Sequence, residues 1–97
     1  MKLYKDKNCK EEIIELNLGI VEAGESKEFI FYVKNDIEAN LKELSFLINH
    51  KEVKIIKSPT NMEIGEIAEL IIKWSPSVTL KEGLKTLIEI KGKELWG

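Results

Sequence analysis

The side chains able to do acid–base, nucleophilic or metal chemistry are few here and lie far apart. His50 is the one histidine and Cys9 the one cysteine. His50 lies in Asn49-His50-Lys51, which reads as a tight exposed turn, and no serine or cysteine motif stands beside it. Cys9 lies in Lys7-Asn8-Cys9-Lys10, where positive charge favours a thiolate. It lacks a partner histidine or a resolving cysteine. One Cys and one His cannot supply the ligand set of a zinc site. Glu11 and Glu12 are adjacent carboxylates, and neighbours on a strand point to opposite faces, so they do not converge on one proton. Asp6 and Asp36 are distant in sequence, and each fits a turn or a cap. The six glycines stand singly, unlike the Gly-rich loop that cradles a phosphate. No catalytic, cofactor-binding or metal-ligating residue is assigned, no cofactor is expected, and the chain is expected not to be an enzyme.

Composition points the same way. The 97 residues suit one domain, and 43% are apolar, enough for a single modest core. The formal charge is −2 and the pI is about 5.5. That balance argues against nucleic acid as a partner, which normally requires a basic face. There are 15 Lys and no Arg, and 15 Glu against 2 Asp. Without Arg the commonest bidentate group for phosphate and carboxylate recognition is missing. No apolar run approaches the roughly 18 residues of a membrane span, so no membrane partner is expected. The first residues lack the apolar stretch of a signal peptide, so classical secretion is not expected. A lone cysteine allows no internal disulfide.

The elements that must position these residues follow from alternation with period two, broken by Gly, Pro and Asn. Ile14, Leu16, Leu18 and Ile20 form one apolar row. Lys27 to Lys34 reads as a strand with Phe29, Phe31 and Val33 inward and Glu28, Ile30, Tyr32 and Lys34 outward. Asn35-Asp36 closes it as a turn. Residues 36–50 fit either a helical stripe or a loop followed by a strand, and the strand is the preferred reading. Glu52 to Lys57 and Ile67 to Trp74 are further strands, the second ended by Pro76. Leu84 to Lys91 is the last long strand, with Gly92 expected to turn the chain into Lys93 to Trp96. At most one short helical turn is expected, between Asp36 and Leu44 or around Val78 to Glu82. Residues 1–12 read either as an edge strand or as an arm. Gly24-Glu25 and Gly65-Glu66 each precede a long strand, which suggests neighbouring strands entering from the same end. Together these features describe an all-β, immunoglobulin-like two-sheet sandwich of about seven strands over residues 1–97. The expected core is Phe29, Phe31, Val33, Phe46, Leu70, Ile72, Trp74, Ile88 and Ile90.

The stretch Leu16-Asn17-Leu18-Gly19-Ile20-Val21-Glu22-Ala23-Gly24-Glu25-Ser26, running through Phe29-Ile30-Phe31-Tyr32-Val33-Lys34-Asn35, resembles the opening of immunoglobulin-like domains of the ASPM–SPD-2–Hydin and major-sperm-protein type. Ile64-Gly65-Glu66, Ile71-Ile72-Lys73-Trp74-Ser75-Pro76 and Gly83-Leu84-Lys85-Thr86-Leu87-Ile88-Glu89-Ile90 are similar to that family's later strands. The resemblance spans roughly residues 13–92 and implies a binding or structural role with no catalytic residues. A compact chain of this kind also resembles small structural proteins of tailed bacteriophages, which implies a virion accessory role. The partners implied are capsid or tail proteins, and the location a virion or the host cytoplasm. A prokaryotic adaptor domain that recruits a protein or peptide is the alternative. Self-association of the domain is left open. Tyr4, Tyr32 and Trp96 are the candidate interface residues, since aromatic side chains with a polar tip are enriched at protein contacts. Leu3-Tyr4 and Leu95-Trp96 are short apolar pairs near the two ends, and Trp96 is the favoured assembly anchor.

If the period-two phase of Lys27 to Lys34 is right, Phe31→Ala costs on the order of 3–5 kcal/mol, as for other buried aromatic truncations. Denaturant unfolding measures it, and a loss below about 1 kcal/mol places Phe31 on the outer face.

Overall fold

The computed structural model describes residues 1–96, which form strands, turns, bends and irregular connections, with no helix among them. The strands are β1 (Lys2–Tyr4), β2 (Glu12–Ile13), β3 (Leu16–Gly19), β4 (Lys27–Lys34), β5 (Asn40–Ile48), β6 (Val53–Lys57), β7 (Ile67–Trp74), β8 (Leu84–Thr86) and β9 (Ile88–Leu95). Every pairing is antiparallel. One sheet has five strands in the order β2-β1-β4-β7-β6, and two further pairs are β3-β8 and β5-β9. The all-β expectation holds, and the layers pack as a small sandwich. The region 36–50 is a loop and then β5, and neither of the two places considered for a short helical turn, 36–44 and 78–82, forms one. Residues 1–13 form an edge hairpin, β1-β2, rather than a free arm.

The core joins the sheets. Phe31, Val33, Leu70, Ile72, Trp74 and Val53 of the five-stranded sheet meet Leu16, Leu18, Leu41, Leu44 and Ile48 of the two pairs. Phe29, Phe46, Ile88 and Ile90, expected inside, are only partly buried and pack against this cluster. Leu3 is buried opposite Val33 and so belongs to the domain's own core.

Three local readings are corrected by the backbone. Ile14 is 88% exposed and Ile20 is also exposed, while Val21 is buried. Ile14 lies in the bend between β2 and β3, outside both strands, whereas for Ile20 and Val21 the reason is Gly19, which takes a positive φ of 64° where the β3–β8 register shifts. That shift flips the inward phase from even to odd positions. Gly92 does not turn the chain; it lies inside β9. There it faces a bulge in β5, where Glu43 has φ 53° and the register moves between Lys42 and Ser45. A Cβ on Gly92 would sit 2.7 Å from Leu44 Cδ2 and 3.2 Å from Lys42 O, so a larger residue beneath the bulge requires the Leu44 side chain to shift. Finally, β4 and β7 are neighbours but antiparallel, so the two Gly-Glu turns lie at opposite ends. Each turn bonds the far end of the other strand, Gly24 N–H to Pro76 O and Gly65 N–H to Asn35 O, both at 3.0 Å.

The fully buried polar side chain is Asn35, at 0% exposure. Its Nδ2 donates to Ala39 O at 2.8 Å and Glu63 O at 3.0 Å, and its Oδ1 accepts from Ile37 N at 3.2 Å. Asn35→Ala strips two carbonyls of their donor in a dry site. A loss on the order of 3 kcal/mol is expected in denaturant unfolding, with the m-value unchanged.

Candidate interaction surface

The outer face of the five-stranded sheet is set by register. Glu12, Tyr4, Tyr32 and Glu69 form one row across β2, β1, β4 and β7. The next outward row is Ile30, Ile71 and Lys57 across β4, β7 and β6. Tyr4 and Tyr32 are therefore direct cross-strand neighbours, both half-buried, beside an Ile30–Ile71 pair whose Ile30 is exposed. Directly opposed side chains on one sheet face touch, so these four make one apolar centre. Ile67 extends it at one side and is also exposed. The rim is charged, with Lys57 Nζ 3.0 Å from Glu69 Oε1 and Lys2 Nζ 3.8 Å from Glu12 Oε1.

The structure thus brings Tyr4 and Tyr32 together and leaves Trp96 elsewhere. Trp96 follows β9 in the other layer, is 65% exposed, and donates its Nε1–H to Glu94 Oε2 at 3.2 Å. Ile30 and Ile71 escaped the sequence reading of the interface. Their signal was present, because β4 and β7 both carry apolar residues on their outward as well as inward positions.

The side chains with chemistry are used as turn ties. His50 Nδ1 accepts from Glu52 N–H at 3.2 Å, which folds the ring back on its own turn. Glu52 Oε2 accepts from Ser77 N–H at 3.0 Å. Ser77, through its side chain and its backbone, holds the Glu52 carboxyl below its usual range. His, Glu and Ser thus gather at one end of the sandwich, with the acid joined to the serine and the His lone pair turned to a backbone amide. Cys9 has φ 55° in the β1–β2 turn, its amide bonded to Asp6 O at 3.1 Å. Asp36 lies 3.0 Å from the Met1 amino group. No group of three or more His, Cys, Asp or Glu suited to a metal occurs among the described residues. A hollow of about 610 Å³ between β2, β3 and β4 is lined by Ile13, Leu18, Phe29 and Phe31, with Lys5 and Glu11 at its mouth.

The hairpin that presents Tyr4 is closed by Asp6. Its Oδ1 accepts from Glu11 N–H at 2.8 Å and Lys10 N–H at 2.9 Å. The Glu11 amide, then that of Lys10, holds the carboxyl below its ordinary 3.8. A lowered pKa means the contribution is full above the ordinary value and is lost as pH falls through the folded one. Amide exchange at Lys10 and Glu11 should therefore be slow at neutral pH and accelerate, relative to the β4–β7 amides, only well into acid. Asp6→Ala should remove that protection at every pH.

Comparison of the chain with family models, with curated proteins and with solved structures finds no match.

Proposed function

We propose that this chain is a non-catalytic protein-binding module that docks through the outer face of its five-stranded sheet. The observation that carries the proposal is the Tyr4–Tyr32 and Ile30–Ile71 block, an apolar centre held on rigid strands inside a rim of opposite charges. That is the anatomy of a protein contact, an aromatic and aliphatic core surrounded by polar groups that exclude water. Tyrosine suits the centre because it offers a large area with few rotamers to freeze and a hydroxyl that can bond at the rim. The His50 tie supports the non-catalytic part, since its Nδ1 accepts from the Glu52 backbone amide and not from the Ser77 hydroxyl, so no Ser–His relay forms although Ser77 holds the Glu52 carboxyl. The partner is a folded protein surface. The resemblance to bacteriophage structural proteins makes a capsid or tail protein the first class to test.

A photo-reactive phenylalanine analogue at position 32 should cross-link to one dominant partner, identified by mass spectrometry in purified particles and, separately, in host extract. Tyr32→Ala should weaken binding of that partner by about 2 kcal/mol, or roughly 30-fold, with Tm retained within a few degrees. A partner whose affinity is indifferent to Tyr32→Ala and to Ile30→Lys would move the binding site off this face.

A further inference from the structure

A second surface lies on the opposite layer. Among the described residues strand β9 is hydrogen-bonded to β5 alone, so its other edge is open along Ile88–Leu95. The other edges are poorer templates: β2, β3 and β8 have two, four and three residues, β6 is bulged between Ile55 and Lys57, and the far edge of β5 is partly taken by Thr60 and Met62. The direction of the free groups on β9 can be worked out. Leu41 lies opposite Glu94, and its N–H and C=O are both spent on Met62, at 2.7 and 2.9 Å. In an antiparallel ladder, opposed residues either bond each other or both point away. Glu94 therefore directs its polar backbone outward, and so do Gly92, Ile90 and Ile88. Beside this edge stand Leu87, 68% exposed, and Leu95, 50% exposed.

We propose that β9 pairs antiparallel with β9 of a second copy about a two-fold axis at Lys91, joining two β5-β9 pairs into one four-stranded sheet. The occupant follows from complementarity. Two-fold pairing must place outward-bonding residues opposite each other, which limits the registers to steps of two. With Lys91 on the axis, Leu87 lies opposite Leu95 of the second copy and Glu89 opposite its Lys93, each twice. Ile90 then lies opposite Gly92, where there is no side chain to obstruct it. One step away, Lys93 falls opposite Lys91. One step the other way, Leu87 falls opposite Lys93 and loses its apolar partner. The chosen register leaves one like-charge contact, Lys91 with its copy. Each of these lysines has its own Glu89 carboxylate at 3.9 Å. Lysines along the edge also oppose pairing with an unmatched strand.

Sedimentation velocity from micromolar to millimolar protein tests this. A reversible dimer is expected, with the amides of Ile88, Ile90, Gly92 and Glu94 gaining exchange protection as concentration rises. Lys93 also holds Glu43 of its own chain at 2.8 Å. Lys93→Glu sets Glu against Glu89 in both symmetry-related pairs and should weaken the dimer by about tenfold or more, whereas Glu43→Gln, which removes only the pair within the chain, should leave it intact. The charge exchange Glu89→Lys with Lys93→Glu should restore it. Tyr32→Ala should leave it unchanged, which separates this contact from the docking face. A chain that stays monomeric throughout the range overturns the proposal. So does a dimer that ignores Lys93→Glu or dissociates with Tyr32→Ala.

Discussion

Three stretches of chain without regular structure meet on the amide of Asn35. The loop at 36–39, the segment at 62–63 and the turn at 65–66 all bond to this residue, through its side chain or its backbone. A carboxamide can do this because it carries two donors and an acceptor on one rigid plane. The Asn35 side chain is fully buried, so losing it leaves the Ala39 carbonyl, and in part that of Glu63, without a partner away from bulk solvent. The location matters as much as the energy. β4 ends there, β5 begins beyond Ala39, and β7 begins just beyond Glu66. The passage from the first layer to the second is therefore fixed by the Asn35 carboxamide, and the return to β7 by the backbone N–H and C=O of the same residue. Leu41 can then reach Met62, and the inner rows of both layers come into line.

The parts of this fold that are legible in the sequence are those governed by a uniform period. Lys27–Lys34 and Ile67–Trp74 are recovered with their observed bounds, because alternation is unbroken between a Gly turn and an Asn or Pro stop. Where the backbone departs from the period, the pattern misleads. Gly19 shifts the phase of the Leu16 row, and the β5 bulge makes Gly92 a strand residue, since the glycine answers a side chain on another strand. Asn35 illustrates the same limit. Its residue type announces a turn, but the carbonyls that bury it come from positions that become neighbours only after folding.

The candidate surface was half legible for the same reason. Tyr4 and Tyr32 are recognisable as residue types suited to a contact. That they form one row is a matter of β1–β4 register, set by the burial of Leu3 against Val33 on the other face. A one-residue slip would expose Leu3 and bury Tyr4. Core packing thus dictates the outer face: the hydrophobic demand of one leucine aligns the two tyrosines. The opposite layer has no such partner across its far edge among the described residues, and β9 remains half-covered, its inward apolar row ending at Ile90.

The pairing of β4 with β7 and of β5 with β9 joins residues roughly half the chain apart. Only β1-β2 pairs across a short turn. Closing such long loops costs entropy before any ladder or core contact compensates. Chains dominated by distant pairings fold in roughly milliseconds to seconds, far slower than helical bundles of equal length. During that interval the apolar strands β4 and β7 are both unsheltered. Glu28, Lys34, Glu69 and Lys73, which stand among the apolar residues of their outer positions, then act on the unfolded chain, opposing the association of these strands from separate molecules until Asn35 has gathered its carbonyls. The charge pattern of this sequence is in that sense a kinetic device as well as a solvated surface.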